Sequence, residues 1–431
     1  MKLYIKTFGC QMNVYDSVRM RDTLGVIGYT ETQKPELADV IIVNTCHIRE
    51  KASEKLFSEL GRLAQVKKKN ALIVVCGCVV QAEGAEILKR SHFVDIALGP
   101  QNYHELPRLI AQYNRQKGRV VRADFPAESK FDFLPMPQKS AANAFLAIQE
   151  GCDNFCSYCV VPYTRGCEYS RPSKEIVAEA RALVKAGAKE IMLLGQNVNC
   201  WHGDKGKDLG DLIREVAKIR GLKRLRYTTS YPSKITQNLI SAHADCPKLM
   251  PYIHIPIQSG SDRVLKAMNR QYTVAEYEKI VQAFRKARPD IAVSSDFIVG
   301  FPGETEEDFN QTMALVERVG YASSFSFKYS PRPGTPASLM KNQIPEKVKT
   351  ERLMKLQALL LSQQKAFNQA TVGKTLEVLL TEQGKEKEQL IGYSPYLQGT
   401  VVKAPKKMLG QIVRVKITEA TATALKGEIV K

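Results

Sequence analysis

Ala144-Phe-Leu-Ala-Ile148-Gln-Glu-Gly-Cys152-Asp-Asn-Phe-Cys156-Ser-Tyr-Cys159 reads as a short apolar strand running straight into a loop with three thiols. Thiolates spaced C-x3-C-x2-C can turn inward from one loop onto a single soft metal centre. Neither a His nor a fourth Cys nearby completes a tetrahedral zinc site, and Cys167 is the only other local thiol. A cubane cluster with three protein ligands leaves one iron open for a substrate or cofactor. Zinc, or three thiols with no metal, are the alternatives.

Downstream of this loop the apolar runs recur with helical stretches between them. Ala144–Ile148, Glu190–Leu194, Leu225–Thr229, Ile253–Ile257, Ala292–Val299 and Ser324–Tyr329 are the expected strands. Strand, helix, strand at this rhythm means parallel pairing through long crossovers, hence an α/β domain. Six such steps between about 145 and 331 are too few for a closed eight-fold barrel and suit a three-quarter one. A doubly wound open sheet is the structural alternative. Residues 145–370, with a Lys/Arg-bearing helix at about 346–370, form this central domain.

Upstream, residues 1–115 show a second α/β pattern, with strands at Leu3–Phe8, Val40–Val43, Leu72–Val75 and Val94–Leu98. Helices are expected near 14–27, 48–66, 80–90 and 102–112. The Pro-rich, polar stretch 116–144 reads as a linker. Residues 371–431 switch to short strands with turn signals, the pattern of a small all-β, OB-like barrel, a class that commonly binds oligonucleotides. This module carries ten Lys/Arg against six Glu.

The chain has 431 residues, 44% of them hydrophobic and 25% charged, with a net charge of +19. That composition excludes a disordered, collagen-like or coiled-coil chain. No apolar run reaches the 18 residues of a membrane span, and Met1–Lys6 lacks a secretory signal, so a cytoplasmic protein is expected. The positive excess favours a polyanionic partner, nucleic acid first.

Ten cysteines in a long chain of this type point to metal, redox or catalytic roles rather than disulfides. Beside the loop at 152–159, Cys10, Cys46 and Cys78 each follow a strand of the first domain, about one βαβ unit apart. C-terminal strand ends of a parallel sheet lie side by side along one edge, where ligands gather. Three thiols there can converge on a second site, or be three core thiols. Cys76 and Cys78 point to the same face of an extended strand, so spacing cannot choose between them. Cys78 sits at the strand–helix turn after Gly77 and is favoured, with Cys76 assigned to the core. Cys200 and Cys246 read as incidental thiols, Trp201 as a surface-packed aromatic, and Asp262 as a helix cap.

The loop Cys152-x3-Cys156-x2-Cys159, with Tyr158 before its last thiol, resembles the signature of the radical S-adenosylmethionine (SAM) superfamily. That resemblance implies a partial (β/α)6 barrel, and a [4Fe–4S] cluster whose open iron chelates SAM and which cleaves it to a 5′-deoxyadenosyl radical. By the same resemblance Tyr158 lies against the adenine. Gly195, Gln196 and Asn197 hold the methionyl end, and Asp296 to Gly303, with Ile298, forms the adenine-side segment; Gln258 belongs to the same set. Gly303 stands where that pattern often carries Glu, and Glu304 follows it.

Two three-cysteine sites, an N-terminal α/β domain and a terminal small barrel together resemble the methylthiotransferase family over nearly the whole chain. Thr7-Phe-Gly-Cys-Gln-Met-Asn13, Asn44-Thr-Cys46 with Ile48-Arg-Glu-Lys-Ala52, and Val160-Val-Pro-Tyr-Thr-Arg-Gly166 carry the likeness to its branch acting on N6-isopentenyladenosine in tRNA. The resemblance implies two [4Fe–4S] clusters, the auxiliary one on Cys10, Cys46 and Cys78, and an RNA-binding TRAM barrel at 371–431. It also implies two uses of SAM, one to methylate cluster-borne sulfur and one to generate the radical. The expected partners are a tRNA anticodon stem-loop and an external electron donor, with no membrane; the sulfur source is left unknown. Arg165 and Arg171 are the RNA-contact candidates, with structural ion pairs as their alternative. Gly392-Tyr-Ser-Pro-Tyr396 stands where relatives usually carry Gly-Arg-Thr, an exchange expected to remove one charge from an RNA surface. Rival readings are the sister enzyme acting on N6-threonylcarbamoyladenosine, the enzyme modifying a ribosomal-protein aspartate, and a non-catalytic iron–sulfur or zinc RNA-binding protein.

Overall fold

Val40-Ile-Ile-Val43 and Leu72-Ile-Val-Val75 are apolar without alternation, as strands covered on both faces must be. The computed structural model describes residues 1–47 and 52–430, and shows how both runs are covered. Val40, Ile42, Leu72 and Val74 join one apolar layer with Leu24, Leu109 and Ile110. Ile41, Val43, Ile73 and Val75 join the opposite layer with Leu56, Leu60 and Leu63. The helices Gln11–Val26 and Leu106–Gln116 thus cover one face, and Ala52–Val66 the other. Ile48 to Lys51 lies outside the described residues, so the start expected near 48 for that last helix does too.

The sheet is six-stranded and parallel, in the order Thr30–Glu31, Lys2–Thr7, Val40–Thr45, Leu72–Gly77, Ile96–Leu98, Val120–Arg122. The stretch read as a linker from 116 therefore supplies an edge strand. It also carries a buried side chain, Lys130, in the 3-10 turn Lys130–Phe133. Proline density signalled a break in regular structure there, but the three-residue strand was too short to show a period. The helix expected at 80–90 is two pieces, Cys78–Glu83 and Glu86–Arg90, parted at Gly84.

The chain divides into two compact units. The first comprises residues 1–138, 150–153 and 160–169; the second comprises 139–149, 154–159 and 170–431. The second unit contains six parallel strands in chain order, Asn143–Ala147, Glu190–Leu194, Arg224–Tyr227, Tyr252–His254, Ala292–Val299 and Ser323–Lys328. They hydrogen-bond as two sets of three, and a single parallel bridge, Leu225 to Leu249, joins the stretch between them. Neighbours in sequence are neighbours in space throughout, which selects the partial barrel over a doubly wound sheet. Alternate residues such as Leu146, Ile191, Leu193, Leu225, Val293 and Phe297 enter one large core with the surrounding helices.

The helix Glu346–Gln369 then leads into a closed five-stranded barrel, Thr375–Gln383, Gln389–Tyr393, Gly399–Lys403, Leu425–Ile429 and Ile412–Ala420. This barrel is docked on the strands rather than hung from a linker. Arg226 bonds Glu190 at 2.9 Å and the carbonyls of Ser394 and Pro395 at 2.8 Å each, while Arg224 bonds those of Tyr393 and Glu377. The backbone around Tyr393 therefore faces the partial barrel. Tyr396 adds a bond to Asp290 at 3.0 Å. Among the described residues, no helix is long and apolar enough to cross a membrane.

Candidate functional site: two thiol clusters and a barrel lumen

In the first unit, Cys10 follows the strand Lys2–Thr7, Cys46 follows Val40–Thr45 and Cys78 follows Leu72–Gly77. These strands are adjacent in the sheet, so parallel register brings the three thiols to one edge. Cys46 hydrogen-bonds both Cys10 and Cys78. That bond from Cys46 draws the Cys10 thiol down to about 6 and the Cys78 thiol down to about 7, against the opposing effect of burial. The Arg165 charge adds to both shifts. Cys46, sharing its proton with two neighbours, is pushed up. Glycine is required on the approach to two of these thiols. Gly9 (φ +133°) would place a Cβ 2.7 Å from that of Cys46, and Gly77 (φ +102°) one 2.3 Å from the Thr45 carbonyl.

Side chains beneath hold the geometry. Asn13 accepts from the Cys10 amide at 3.2 Å, and Asn44 donates to the Asn13 carbonyl and to Ser17 at 2.8 and 2.9 Å. Cys76 is fully buried in an apolar layer, and burial pushes its thiol up.

Next to these thiols lies a buried network of two cations and two anions. Arg165 bonds Asp16 at 2.7 Å and Glu150 at 2.5 Å, and Lys130 lies 2.7 Å from Glu150 and 3.5 Å from Asp16. Only 3% of Arg165 is exposed. Arg171, at 4% exposure, pairs with Glu179 at 2.8 Å and bonds the Ala147 carbonyl. Both guanidiniums are enclosed by protein acceptors, which corrects the expectation that they meet RNA phosphates. Ion pairs were the alternative for both arginines, but the partner of Arg165 could not be named from the sequence because Asp16 lies 149 residues away.

The second thiol set lies on the loop that follows Asn143–Ala147. Cys152 belongs to the first unit, where its amide bonds the Gly166 carbonyl at 3.2 Å. Cys156 and Cys159 belong to the second, the Cys159 amide bonding the Cys156 carbonyl at 2.9 Å. Ser157 pins this part of the loop to the end of the helix Asp262–Ala267 through the carbonyls of Met268 (3.0 Å) and Ala267 (2.8 Å). Tyr158 packs against Val264, Met268, Phe301, Tyr329 and Ala337. Arg270, which no motif marked, bonds the Cys156 sulfur at 3.5 Å and lies over the Tyr231 ring at 4.3 Å.

The remaining predicted residues divide between two strand ends of the partial barrel. Gly195 and Asn197 sit against Gln149, whose side-chain oxygen accepts from the Asn197 amide at 3.1 Å, and half-buried Gln196 lies between them. Gln258, in a left-handed conformation (φ +76°), bonds the Asp296 carbonyl and accepts from the Ile298 amide, both at 2.9 Å. Asp296 and Ile298 are half-buried on the inward side of Ala292–Val299, in contrast to their buried neighbours Phe297 and Val299. His254 joins this row, 3.0 Å from Ser294 and 3.4 Å from Asp296. Two minor expectations are corrected. Trp201 is 2% exposed, its indole N–H bonded to the Arg171 carbonyl, so it is core. Ser261, not Asp262, caps its helix, and Asp262 instead accepts from the Val274 amide.

Three family descriptions match the chain in succession: an uncharacterized protein family (UPF0004) over residues 2–99, the radical SAM superfamily over 146–316, and the TRAM domain over 369–430. A tRNA-2-methylthio-N(6)-dimethylallyladenosine synthase of Wolbachia pipientis subsp. Culex pipiens (strain wPip) is 55% identical, over 99% of each chain. A relative with the same name from Maricaulis maris (strain MCS10) is 54% identical over 99% of this chain and 97% of its own. The chain belongs to this synthase family. It is a radical SAM enzyme, and the superfamily works with SAM and a [4Fe–4S] cluster. Among solved structures, the radical SAM methyltransferase TsrM from Kitasatospora setae matches with a TM-score of 0.59 at 14% identity, covering 78% of this chain and 77% of that one. The cobalamin-dependent SAM radical enzyme OxsB matches with a TM-score of 0.53 at 11% identity, over 84% of this chain and 56% of that one. At such identities these two likenesses concern the fold alone.

The residues present suit iron–sulfur ligation. Both sets are thiols without imidazole or carboxylate among them, the donor chemistry such clusters use.

Proposed function

We propose that this chain inserts a methylthio group at C2 of N6-dimethylallyladenosine beside the tRNA anticodon, using two [4Fe–4S] clusters. Cys152, Cys156 and Cys159 would hold one cluster, and Cys10, Cys46 and Cys78 the other. The observation that carries this reading is the meeting of Cys10, Cys46 and Cys78 at three adjacent strand ends, in a chain 55% identical to synthases of that name. When bound, the clusters and SAM supply a 5′-deoxyadenosyl radical and a sulfur carrier, chemistry that an unactivated aromatic C–H requires and acid–base residues cannot provide.

The chain's own residues then bind, orient and exclude water. Gly9 and Gly77 let the backbone approach the auxiliary thiols, and Asn13 and Asn44 fix the Cys10 loop. Arg165 lowers the proton affinity of Cys10 and Cys78, favouring the thiolates that ligate iron. Gly195, Gln196, Asn197, Gln258, Asp296 and Ile298, with Tyr158 of the cysteine loop, would contact SAM. An electron donor comes from outside the chain. The net charge of +19 and the TRAM barrel support tRNA as the partner, with adenine splayed from its loop.

Nucleoside mass spectrometry of tRNA from a deletion strain tests this. Loss of 2-methylthio-N6-isopentenyladenosine, restored by the wild-type gene, is expected. Loss of the threonylcarbamoyl counterpart instead would transfer the assignment to the sister enzyme.

A further inference from the structure

The last strand of the partial barrel, Ser323–Lys328, pairs in parallel with Ala292–Val299, Phe325 opposite Asp296 and Phe327 opposite Ile298. Paired residues of adjacent strands share a face. Phe325 and Phe327 therefore point to the inward side, with Asp296 and Ile298, while Lys328 points the other way and bonds Thr350 of the long C-terminal helix. Inward phenylalanines in a small barrel are normally packed away. These two are 57% and 45% exposed. The Phe325 ring stands edge-on to His254 at 6.4 Å, which sets its orientation without covering its face. Besides Ile298, the inward row beside them carries the polar side chains of His254, Ser294 and Asp296. Two largely exposed rings in register with the residues assigned to SAM form an apolar wall.

We infer that Phe325 and Phe327 are the specificity wall of the substrate pocket, on which the extruded adenine stacks and against which its branched dimethylallyl group packs. This rests on the proposed function and deepens it. Flat rings are the sequence-tolerant platform for an unstacked base. A five-carbon apolar substituent gains from apolar surface, whereas a charged, hydrogen-bonding threonylcarbamoyl group would lose its water there. The wall thus supplies a physical reason for choosing one N6 substituent over the other.

The test uses reconstituted full-length enzyme and two anticodon stem-loops, identical except that one carries the dimethylallyl group. Phe325→Ala and Phe327→Ala should each raise KM for the dimethylallylated RNA roughly tenfold, the size of a lost base–aromatic stack. Preference over the unmodified RNA should fall in proportion. SAM cleavage without RNA should stay at the wild-type level, since the rings do not hold the cofactor. Phe327→Leu, which keeps apolar bulk but no ring, should retain part of the preference and guards against misfolding of the alanine variants. Unchanged KM and preference in all three variants would overturn the inference while leaving the proposed function intact. Loss of RNA-independent SAM cleavage with full iron content would also overturn it, placing the rings at the cofactor. A wild-type enzyme forming no methylthio product would overturn both readings.

Discussion

Single side chains decide the chemistry. Replacing Cys10, Cys46 or Cys78 with Ala should lower iron content by about four atoms per chain and abolish methylthio transfer, while SAM cleavage persists. Iron and product analysis of the three variants checks this, and full transfer in all of them would show the auxiliary assignment to be wrong. These thiols were legible in the sequence because each directly follows an apolar run, and parallel strand ends gather on one edge. Arg165 was visible only as a charge, since its acids come from a distant helix and from Glu150. Removing it leaves Asp16 and Glu150 buried with Lys130 alone, so Arg165→Met should destabilise the fold by roughly 3–5 kcal/mol in denaturant titration. His243 gives a pH signature. It is fully buried, bonds Tyr227 at 2.8 Å, and burial holds its pKa down at about 3. The unfolded chain therefore takes up this proton first, at its ordinary value of about 6.5, while the folded chain does so near 3. Stability from this group is complete above pH ~6.5 and is lost as pH falls toward 3, on the order of 5 kcal/mol in all. Urea midpoints of the metal-free chain should decline across that window less steeply in His243→Leu than in wild type. Equal slopes would remove His243 from the account.

At the scale of elements, the turn after Leu72–Gly77 shows how backbone geometry delivers a ligand. Gly77→Ala forces a side chain onto the Thr45 carbonyl at positive φ, so the turn must shift and carry Cys78 with it. We expect a stability loss of about 1–3 kcal/mol together with loss of one cluster's iron, read by denaturation and iron analysis of one preparation. Full iron with normal stability would show that the turn tolerates a Cβ. Strand positions were readable to within a few residues because buried parallel strands are continuous apolar runs. The edge strand Val120–Arg122 was missed because three residues beside a Pro-rich stretch carry no period. Exposure was harder to read than position. Trp201 looked like surface because Gly203 and charged residues surround it in sequence, yet its indole is satisfied inside the core by the Arg171 carbonyl.

For the whole molecule, charge foretold a polyanionic partner, but not how the terminal barrel is held. Its docking depends on Arg224 and Arg226 reaching backbone carbonyls, contacts that leave no trace in side-chain patterns. Arg226→Ala would leave Glu190 with only the more distant Arg224, at 3.9 Å, and release the Ser394–Pro395 carbonyls. Limited proteolysis near residue 370 should then accelerate, and tRNA affinity should fall, while RNA-independent SAM cleavage is retained. The most direct test of the central claim is nucleoside mass spectrometry after incubating anaerobically reconstituted, reduced enzyme with SAM and tRNA bearing N6-dimethylallyladenosine. The account predicts 2-methylthio-N6-dimethylallyladenosine together with 5′-deoxyadenosine. Fully loaded enzyme that yields neither, or that methylthiolates only threonylcarbamoyladenosine, would contradict it.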